Sequence, residues 1–437
     1  MTGRVHIIGA GLAGLSAAID LLKAGRDIAL YESAGHAGGR CRSFHDAALG
    51  RRIDNGNHLL LSGNRAARAY LGDIGSGDSL TGPEKAEFPF IDLSTGERWT
   101  VALGAGFLFR ALLTGNMPVP GSRRLDCLQA FRLAFAGESA TVAKTLGPDN
   151  VLFRRFWEPL AVAVLNTEAD QAAASLLRRV IRETIGQGEA ACRPLIANKG
   201  LSESFVDPAL GILGERGVDV RFNSRLRALQ TGGNRVSALD FGPGIDGGAV
   251  GLEAEDNVIL AVPPNAAAGL VPGLEVPNES RAIVNGHFLL DGEDGGEGGG
   301  ERQGPGDRQG EEMTFLGLLG GTAEWLFVRG DIASVTVSAA NELVEEESGV
   351  IAGRLWADVA AALGLGDVAL PPHRIVKEKR ATFAGTPAQV RRRAGTRTPW
   401  ANLFLAGDWT DTGLPGTIES AVLSGRKASE IILKSSS

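Results

Sequence analysis

The sequence predicts an α/β fold in which distant parts of the chain form one parallel sheet beside a second, α+β domain. A short β-branched run at 5–8 is followed by a glycine-rich helix start and by a second strand at 28–31. That order is typical of a β-α-β unit. Further strand patterns occur at 216–230, 257–264 and 403–406. The intervening segments are long enough for a second domain, since 437 residues exceed what one small core requires.

The composition is that of an ordinary soluble globular protein. Hydrophobic residues make up 43% of the chain, charged residues 22%, and the net charge is −7. A nucleic-acid partner is not expected, because it requires a concentrated basic face. No apolar stretch reaches the roughly 18 residues of a membrane span, and no secretory signal is visible. Cys41, Cys127 and Cys192 have unrelated spacings, which indicates a cytoplasmic location and no metal site.

The first β-α-β unit carries a dinucleotide-binding motif. Gly9, Gly11 and Gly14 form G-x-G-x-x-G at the start of the predicted helix, and Glu32 ends the second strand. The first glycine permits a tight turn, the second lets a pyrophosphate approach the backbone, and the third lets helix and strand pack closely. Glu32 would accept hydrogen bonds from ribose hydroxyls, which favours FAD or NAD over NADP.

A second glycine-rich stretch follows that unit. Residues 36–43 read HAGGRCRS and contain Gly38, Gly39 and Arg40. They resemble the second motif of the FAD-containing amine oxidases and carotenoid desaturases. The resemblance implies that Arg40 reaches toward the pyrophosphate while the glycines let the chain pass beneath the cofactor.

The end of the chain resembles the closing flavin-binding element of the same superfamily. Residues 402–432 give a strand, a Gly407-Asp408 pair, a Pro-Gly turn and a helix. The resemblance implies that Asp408 meets the ribityl and phosphate part of the cofactor. It also implies that Thr417 and Ile418 bring backbone N–H groups to the flavin ring, where a helix N-terminus stabilises negative charge. FAD is therefore the expected cofactor.

Five stretches together resemble the hydroxysqualene dehydroxylase family, which is related to the phytoene desaturases. They are DNGNHLLLSGN (54–64), FWEPLAVAVLNT (156–167), GGTAEWLFVRGDIASVTVSAA (320–340), VKEKRATFAGTP (376–387) and NLFLAGDWTDTGLPGTIESAV (402–422). The resemblance covers nearly the whole chain. It implies that reduced FAD converts an allylic C30 alcohol, hydroxysqualene, to squalene in hopanoid synthesis.

The resemblance also implies the domain organisation. A discontinuous, Rossmann-type FAD-binding domain would be completed by an α+β substrate domain, as in amine oxidases and phytoene desaturases. Residues near Val220 would lie by the adenine. The expected FAD-binding parts are 1–75, 199–275 and 396–437, and the expected substrate-domain parts are a mostly helical 76–198 and a mostly strand-forming 276–395. Pro263 and Pro264 are expected to exclude a helix after the strand pattern at 257–264.

A polar stretch precedes the apolar run Leu59–Leu61. In this superfamily the chain passes beside the isoalloxazine ring after the GGR motif, so polar side chains here are expected where cofactor meets substrate. They are Asp54, Asn55, Asn57 and His58. The alternative is an exposed Asx turn.

The segment 153–167 places polar groups among aliphatic ones. Phe156, Trp157 and Asn166 are candidates for the substrate pocket, because aromatic faces would stabilise an allylic cation. The alternative is a core helix with a satisfied acid. A general acid must protonate the departing hydroxyl, and the candidates are His58, Glu158 and Asp411. His58 is favoured because imidazole titrates near neutral pH.

Two rival functions remain open on the sequence. One is desaturation of a polyisoprenoid by oxidised FAD, with hydride moving the other way. The other is a non-redox lipid-binding protein, as the prenyl-Rab escort proteins are. The electron donor that would reduce FAD is not specified by the sequence.

Peripheral membrane contact is expected at 99–136, because a C30 hydrocarbon is almost insoluble in water. The segment mixes large apolar residues with arginines, as an anionic interface requires. They are Trp99, Phe107, Leu108, Phe109, Leu112, Leu113 and Met117, with Arg110, Arg123 and Arg124. An ordinary core helix pair is the alternative.

Residues 291–312 are expected to be a disordered loop of unassigned function. The stretch has nine glycines, eight acidic residues and no large apolar side chain, so it cannot bury enough surface to offset ordering. Its flanking strand patterns suggest that it extends a hairpin.

Overall fold

A computed structural model describes residues 3–104, 106–243, 248–290 and 314–435. The strands of these residues are β1 (Val5–Ile8), β2 (Ile28–Tyr31), β3 (Ser43–Asp46), β4 (Arg51–Asp54), β5 (Leu59–Leu61), β6 (Leu80–Thr81), β7 (Glu87–Asp92), β8 (Arg98–Ala102), β9 (Pro194–Ala197), β10 (Asp219–Arg221), β11 (Ala228–Gly232), β12 (Arg235–Asp240), β13 (Ala249–Gly251), β14 (Asn257–Leu260), β15 (Ser280–Leu289), β16 (Thr314–Leu319), β17 (Trp325–Arg329), β18 (Ile332–Val337), β19 (His373–Phe383) and β20 (Leu403–Leu405).

The α-helices are α1 (Leu12–Lys23), α2 (Arg65–Asp73), α3 (Phe107–Thr114), α4 (Arg124–Ala130), α5 (Val142–Leu146), α6 (Glu158–Leu165), α7 (Ala174–Glu183), α8 (Asp207–Glu215), α9 (Pro264–Leu270), α10 (Ser348–Leu363), α11 (Pro387–Arg391) and α12 (Ile418–Ser435). A 3₁₀ helix, Phe131–Phe135, continues α4, and a π-helical turn, Phe153–Trp157, leads into α6. None of the helices in the described ranges is both long and apolar enough to cross a bilayer.

The dinucleotide sheet draws its strands from widely separated parts of the chain. Its order is β10-β2-β1-β14-β20, and all neighbours are parallel. The side chains of β1, β2 and β20 are all buried, as a sheet covered on both faces requires. α1 and α12 pack together against it, and a Cβ at Gly425 would collide with the Ala13 carbonyl and the Ser16 hydroxyl. The predicted α/β class is thus confirmed.

A seven-stranded mixed sheet forms the centre of the second region. Its order is β19-β15-β18-β17-β16-β7-β8. β7 and β8 come from the segment 76–198, which was predicted to be mostly helical, so that segment contributes two strands to this sheet. α10 covers one face through buried Ile351, Leu355 and Val359. The boundaries of the two domains stay a prediction.

Two local predictions were wrong. Pro264 opens helix α9 instead of excluding one, because proline at the first helical position lacks only an N–H that the helix does not use. The strands that flank residues 291–312 do not form a hairpin, since β15 pairs with β18 and β19 whereas β16 pairs with β17 and β7. The predicted disorder of 291–312 itself lies outside the described residues.

Candidate active site

The turn between β1 and α1 uses its three glycines in three different ways. Gly9 has φ +107°, and a Cβ there would collide with the Ala261 carbonyl. A Cβ at Gly14 would collide with the Gly9 carbonyl, so only glycine lets α1 pack so closely. At Gly11 nothing lies within 4 Å of the Cβ position. Open space therefore faces the N-terminus of α1, where a pyrophosphate finds backbone donors.

Glu32 lies directly over this turn. One carboxylate oxygen accepts the Ala10 N–H at 2.8 Å, and the other accepts the Ala34 N–H at 2.8 Å. Val220 pairs with Leu30 on the neighbouring edge strand β10. Glu32 and Val220 thus sit at the end of the sheet where the sequence predicts the ribose and adenine.

The GGR loop contacts the first glycine turn. The Gly38 N–H donates to the Ala10 carbonyl at 2.8 Å, and the Cβ position of Gly39 is 3.6 Å from the Gly11 Cα. Arg40 then reaches the other end of the chain, where its Nη2 donates to Asp408 Oδ1 at 2.7 Å. The negative charge of Asp408 raises the pKa of Arg40 further.

Hydrogen bonds with Ser424 and Arg393 hold the backbone of the closing flavin-binding element in place. The Gly407 N–H donates to Ser424 Oγ at 2.8 Å. Buried Arg393 donates to the Asp408 carbonyl at 3.3 Å and to the Trp409 carbonyl at 3.2 Å, and burial lowers its pKa to about 10. Thr417 Oγ1 accepts the Ser420 N–H at 3.2 Å, which caps the start of α12.

These elements fit FAD. We refer to residues 9–14, 38–40 and 407–418, together with Glu32, as the flavin cradle. It offers open space at Gly11, an acid at the end of β2, a guanidinium shared with Asp408, and the N-terminus of α12 beginning at Ile418. Helix N-termini and a guanidinium favour phosphates and a negatively charged ring.

The polar stretch after β4 is not an exposed turn. Asp54 and Asn55 are buried, and Asp54 pairs with Arg329 at 3.1 Å. Ser43 Oγ also donates to Asp54 Oδ1 at 2.6 Å. The Asn57 amide donates to Thr336 Oγ1 at 3.1 Å. Each of these polar groups therefore has a partner inside the protein, and Arg329 is a contact that the sequence did not predict.

His58 lines a small cavity of about 20 Å³. Burial lowers the pKa of His58 to about 4. The negative charge of Asp54 raises this pKa, and the positive charge of Arg40 lowers it. The reason for favouring His58, titration near neutral pH, is therefore wrong for this environment. Its role as a general acid stays a prediction, but the side chain is neutral at neutral pH.

Asn166 connects the second sheet to the flavin cradle. Its Oδ1 accepts the Ala339 N–H at 2.6 Å, and its Nδ2 donates to Thr382 Oγ1 at 3.0 Å. Thr382 in turn lies 3.1 Å from the Cβ position of Gly416, inside the cradle. Asn166 and Ala339 both have left-handed backbones, with φ 45° and 48°. Such conformations in non-glycine residues concentrate at functional sites.

Glu324 and Asn166 accept hydrogen bonds from two successive backbone N–H groups. One oxygen of Glu324 accepts the Ser338 N–H at 2.8 Å, next to the Ala339 N–H that Asn166 accepts. Burial raises the pKa of Glu324 to about 7, and the charge of Glu168 adds to that effect. We refer to Glu324, Asn166 and Thr382 as the acid bridge. It ends beside the flavin cradle.

The other two predicted acids differ in environment. Glu158 is the first residue of α6 and is half-buried, and its pKa is raised by burial and by the charge of Glu168. Asp411 is exposed, and its N–H donates to the Ala394 carbonyl at 2.8 Å. A carboxyl whose pKa is raised by burial is the better proton donor, which favours Glu158 over Asp411.

Phe156 and Trp157 are packed in an aromatic cluster. Their ring centroids are 4.8 Å apart, and Phe90 and Phe107 lie 6.5 Å and 6.0 Å from Phe156. Trp325, which follows Glu324, lies 5.5 Å from Phe90. The cluster therefore extends from α6 to Trp325 at the start of β17. In this structure both predicted pocket aromatics are buried, and Asn166 uses both amide atoms within the protein.

The sequence did not indicate four residues of the site: Glu324, Arg329, Thr382 and Arg393. Glu324 and Thr382 stand within stretches that carry the family resemblance, yet neither has a local pattern that identifies it. One signal could have drawn attention to Glu324, namely an acid between Ala323 and Trp325 at the start of a buried strand. Acidic side chains are rarely buried without a partner.

The comparisons with known proteins agree with this geometry. The family model described as flavin containing amine oxidoreductase matches residues 12–290 and 329–433. The chain belongs to this family of flavin-dependent oxidoreductases, and it is an enzyme with FAD as cofactor.

The similar proteins narrow the subgroup. The chain is 45% identical to hydroxysqualene dehydroxylase of Rhodopseudomonas palustris and 44% identical to that of Sinorhizobium fredii, over 99% of each chain. The predicted resemblance to the hydroxysqualene dehydroxylases is thus confirmed. A probable zeta-carotene desaturase of Synechococcus elongatus is 24% identical over 99% of this chain and 98% of its own. A crystal structure of a putative protoporphyrinogen oxidase from Exiguobacterium superposes with TM-score 0.66 at 17% identity, covering 99% of both chains, which supports the fold.

Proposed function

We propose that this enzyme removes the hydroxyl group of hydroxysqualene and forms squalene. The observation that carries the proposal is full-length similarity to three proteins of that name, at 41–45% identity over 99% of the chain. The desaturase relatives are more distant, at 24% identity. The substrate is accordingly an apolar C30 alcohol.

The reaction requires one hydride, one proton and the loss of water. The allylic C–O bond breaks, the oxygen leaves as water after receiving a proton, and the carbinol carbon gains a hydride. When bound, reduced FAD would supply the hydride. The protein must supply the proton and an apolar surface for the positive charge that develops on the allylic carbons.

We propose Glu324 as the proton donor. With a pKa of about 7, its carboxyl is partly protonated at neutral pH, whereas His58 with a pKa of about 4 is neutral and has no acidic proton to give. Glu324 and Asn166 accept two successive backbone N–H groups, and Asn166 donates to Thr382 beside the flavin cradle. Glu158 is the second candidate, because burial also raises its pKa.

The aromatic cluster supports the same reaction. Trp325 follows the proposed acid directly in sequence, and Trp157 precedes the second candidate acid. Aromatic faces attract cations by about 2 kcal/mol or more when water is excluded. Phe156 and Trp157 would therefore stabilise an allylic cation without a nucleophile that could trap it.

The direction of hydride flow tests the proposal. Holoenzyme reduced without oxygen and mixed with hydroxysqualene should be reoxidised as squalene appears, one molecule for each flavin. Reduced protein mixed with squalene, under the same conditions, is the control and should stay reduced. If oxidised enzyme is instead bleached by squalene or phytoene, the enzyme is a desaturase and the proposed reaction is wrong.

A further inference from the structure

The protein concentrates its exposed apolar side chains on one surface. Of the ten large hydrophobic residues that are exposed in the described ranges, six fall between residues 109 and 135. Phe135, Leu125 and Leu113 are 88%, 68% and 65% exposed. We call these six residues the apolar outer face: Phe109, Leu113, Leu125, Leu128, Phe131 and Phe135. A soluble protein usually scatters such residues, and a large patch marks an interaction surface.

Three consecutive helical elements build the apolar outer face. α3 packs against α4, and α4 continues into the 3₁₀ helix Phe131–Phe135. Phe109 and Leu113 are four residues apart on α3, and Leu125 and Leu128 are three apart on α4. These spacings place each pair on one side of its helix. The six side chains therefore lie on helical elements that contact or continue one another, rather than on separate loops.

The charge of this region is opposite to that of the whole chain. Residues 107–136 contain four arginines and one aspartate, whereas the net charge of the protein is −7. The aspartate, Asp126, is buried and accepts the Arg123 N–H at 2.9 Å, so it contributes little outside. The exposed arginines are Arg110, Arg123, Arg124 and Arg132. An apolar surface bordered by cations complements an anionic bilayer.

The inner side of the same helix touches the aromatic cluster. Phe107 is buried, and its ring lies 6.0 Å from Phe156 and 6.5 Å from Trp157. Trp99 is buried as well. These two residues were predicted from the sequence to face lipid and instead face the core. One helix therefore separates the apolar outer face from the surface proposed to bind the substrate.

We propose that the apolar outer face docks on the surface of an anionic lipid bilayer. The six side chains enter the boundary between headgroups and acyl chains, and the arginines pair with lipid phosphates. The route of the substrate rests on the proposed function: the docked enzyme would take its C30 substrate from the bilayer past α3 to the aromatic cluster. The helices lie on the membrane and do not cross it.

Co-sedimentation of the yellow holoenzyme with lipid vesicles tests the docking. Wild-type protein should bind vesicles that contain phosphatidylglycerol and bind pure phosphatidylcholine more weakly. Leu113→Asp combined with Phe135→Asp should lower the partition coefficient on the anionic vesicles by about tenfold or more, because two apolar anchors are lost. Arg110→Gln combined with Arg132→Gln should lower it about fivefold per charge.

A matched control uses exposed apolar residues elsewhere. Val350 and Leu370 are 53% and 40% exposed and lie outside the face. Val350→Asp combined with Leu370→Asp adds the same charge and should bind vesicles like wild type. Retained flavin absorbance shows that each variant is folded. Equal binding by the Leu113/Phe135 variant and wild type would overturn the proposal.

Two further outcomes separate this inference from the proposed function. If the face is instead an interface between two copies, sedimentation velocity will show a wild-type dimer that the Leu113/Phe135 variant turns into a monomer, without vesicle binding, and the proposal is wrong. If wild type binds anionic vesicles but does not convert hydroxysqualene presented in detergent, the proposed reaction fails while the docking stands. Conversion in detergent without any vesicle binding rejects only the docking.

Discussion

The flavin cradle and the acid bridge differ in how their charged side chains are paired and buried. In the cradle, Arg40 and Asp408 form an ion pair at 2.7 Å, and the carboxylate of Glu32 accepts two backbone N–H groups. In the acid bridge, burial raises the pKa of Glu324 to about 7, and the negative charge of Glu168 acts in the same direction. Fixed charges suit a site that binds an anionic cofactor permanently. A carboxyl near its midpoint of titration suits a site that gives up a proton in each cycle.

The largest expected effect separates two glycines of the cradle. Gly11→Val should give folded but colourless protein, with flavin content below about a tenth of wild type, because the valine occupies only the space that the phosphates need. Gly14→Val should fail to fold, since its side chain would collide with the Gly9 carbonyl. Circular dichroism and flavin absorbance measure both. Stoichiometric flavin in the Gly11 variant would contradict the placement of the pyrophosphate.

Asn166 tests whether the acid bridge is a structural connection. Asn166→Gly keeps the left-handed backbone but loses the three hydrogen bonds of the side chain, and should lower the free energy of unfolding by about 1–3 kcal/mol. Asn166→Ala should cost about 1 kcal/mol more, because alanine disfavours φ 45°. Denaturant titration measures both variants. If only the Michaelis constant rises and stability is unchanged, Asn166 binds substrate and is not a structural bridge.

His287 makes the second sheet sensitive to acid. It is 1% exposed, its Nδ1 lies 2.8 Å from Ser334 Oγ, and burial lowers its pKa to about 4. The pKa of His287 is lower in the folded protein than in the unfolded chain. The stability that neutral His287 contributes is therefore fully present above about pH 6.5 and is lost as the pH falls through about 4. The loss is roughly 2–3 kcal/mol.

The matched variant is His287→Gln, which cannot gain a proton. Its difference in unfolding free energy from wild type should shrink between about pH 7 and about pH 4. A difference that stays constant over this range would show that His287 does not titrate with a lowered pKa.

The smallest effect is expected at His58. His58→Ala should slow turnover by less than about tenfold and keep the flavin, since a neutral imidazole is not the proton donor. Stopped-flow reoxidation of reduced enzyme measures the rate. A drop of two to four powers of ten, which is roughly what loss of a general acid costs, would return the role to His58.

The cradle could be predicted from the sequence because its chemistry is local. Gly9, Gly11 and Gly14 act within one turn, and the requirement for glycine at each position is visible in the spacing alone. The pairing of Arg40 with Asp408 could be expected only from the family resemblance, since the two residues are 368 positions apart.

The acid bridge could not be predicted in the same way. Burial raises the pKa of Glu324, and no local pattern in the sequence encodes that burial. The same holds for His58, whose pKa is set by surroundings that the sequence does not show. Residues 107 and 109 show a third case: helical spacing places them on opposite sides of α3, but which side faces the core depends on Phe156 and Trp157.

The pH dependence of flavin reoxidation by hydroxysqualene tests the account most directly. In wild type, the single-turnover rate should fall as the pH rises above about 7, because Glu324 loses its proton. Glu324→Gln should be slower by roughly two to four powers of ten and independent of pH in this range, with flavin retained. Glu158→Gln, the matched control, should keep the wild-type profile. A flat profile in the Glu158 variant together with an unchanged one in the Glu324 variant would contradict the account.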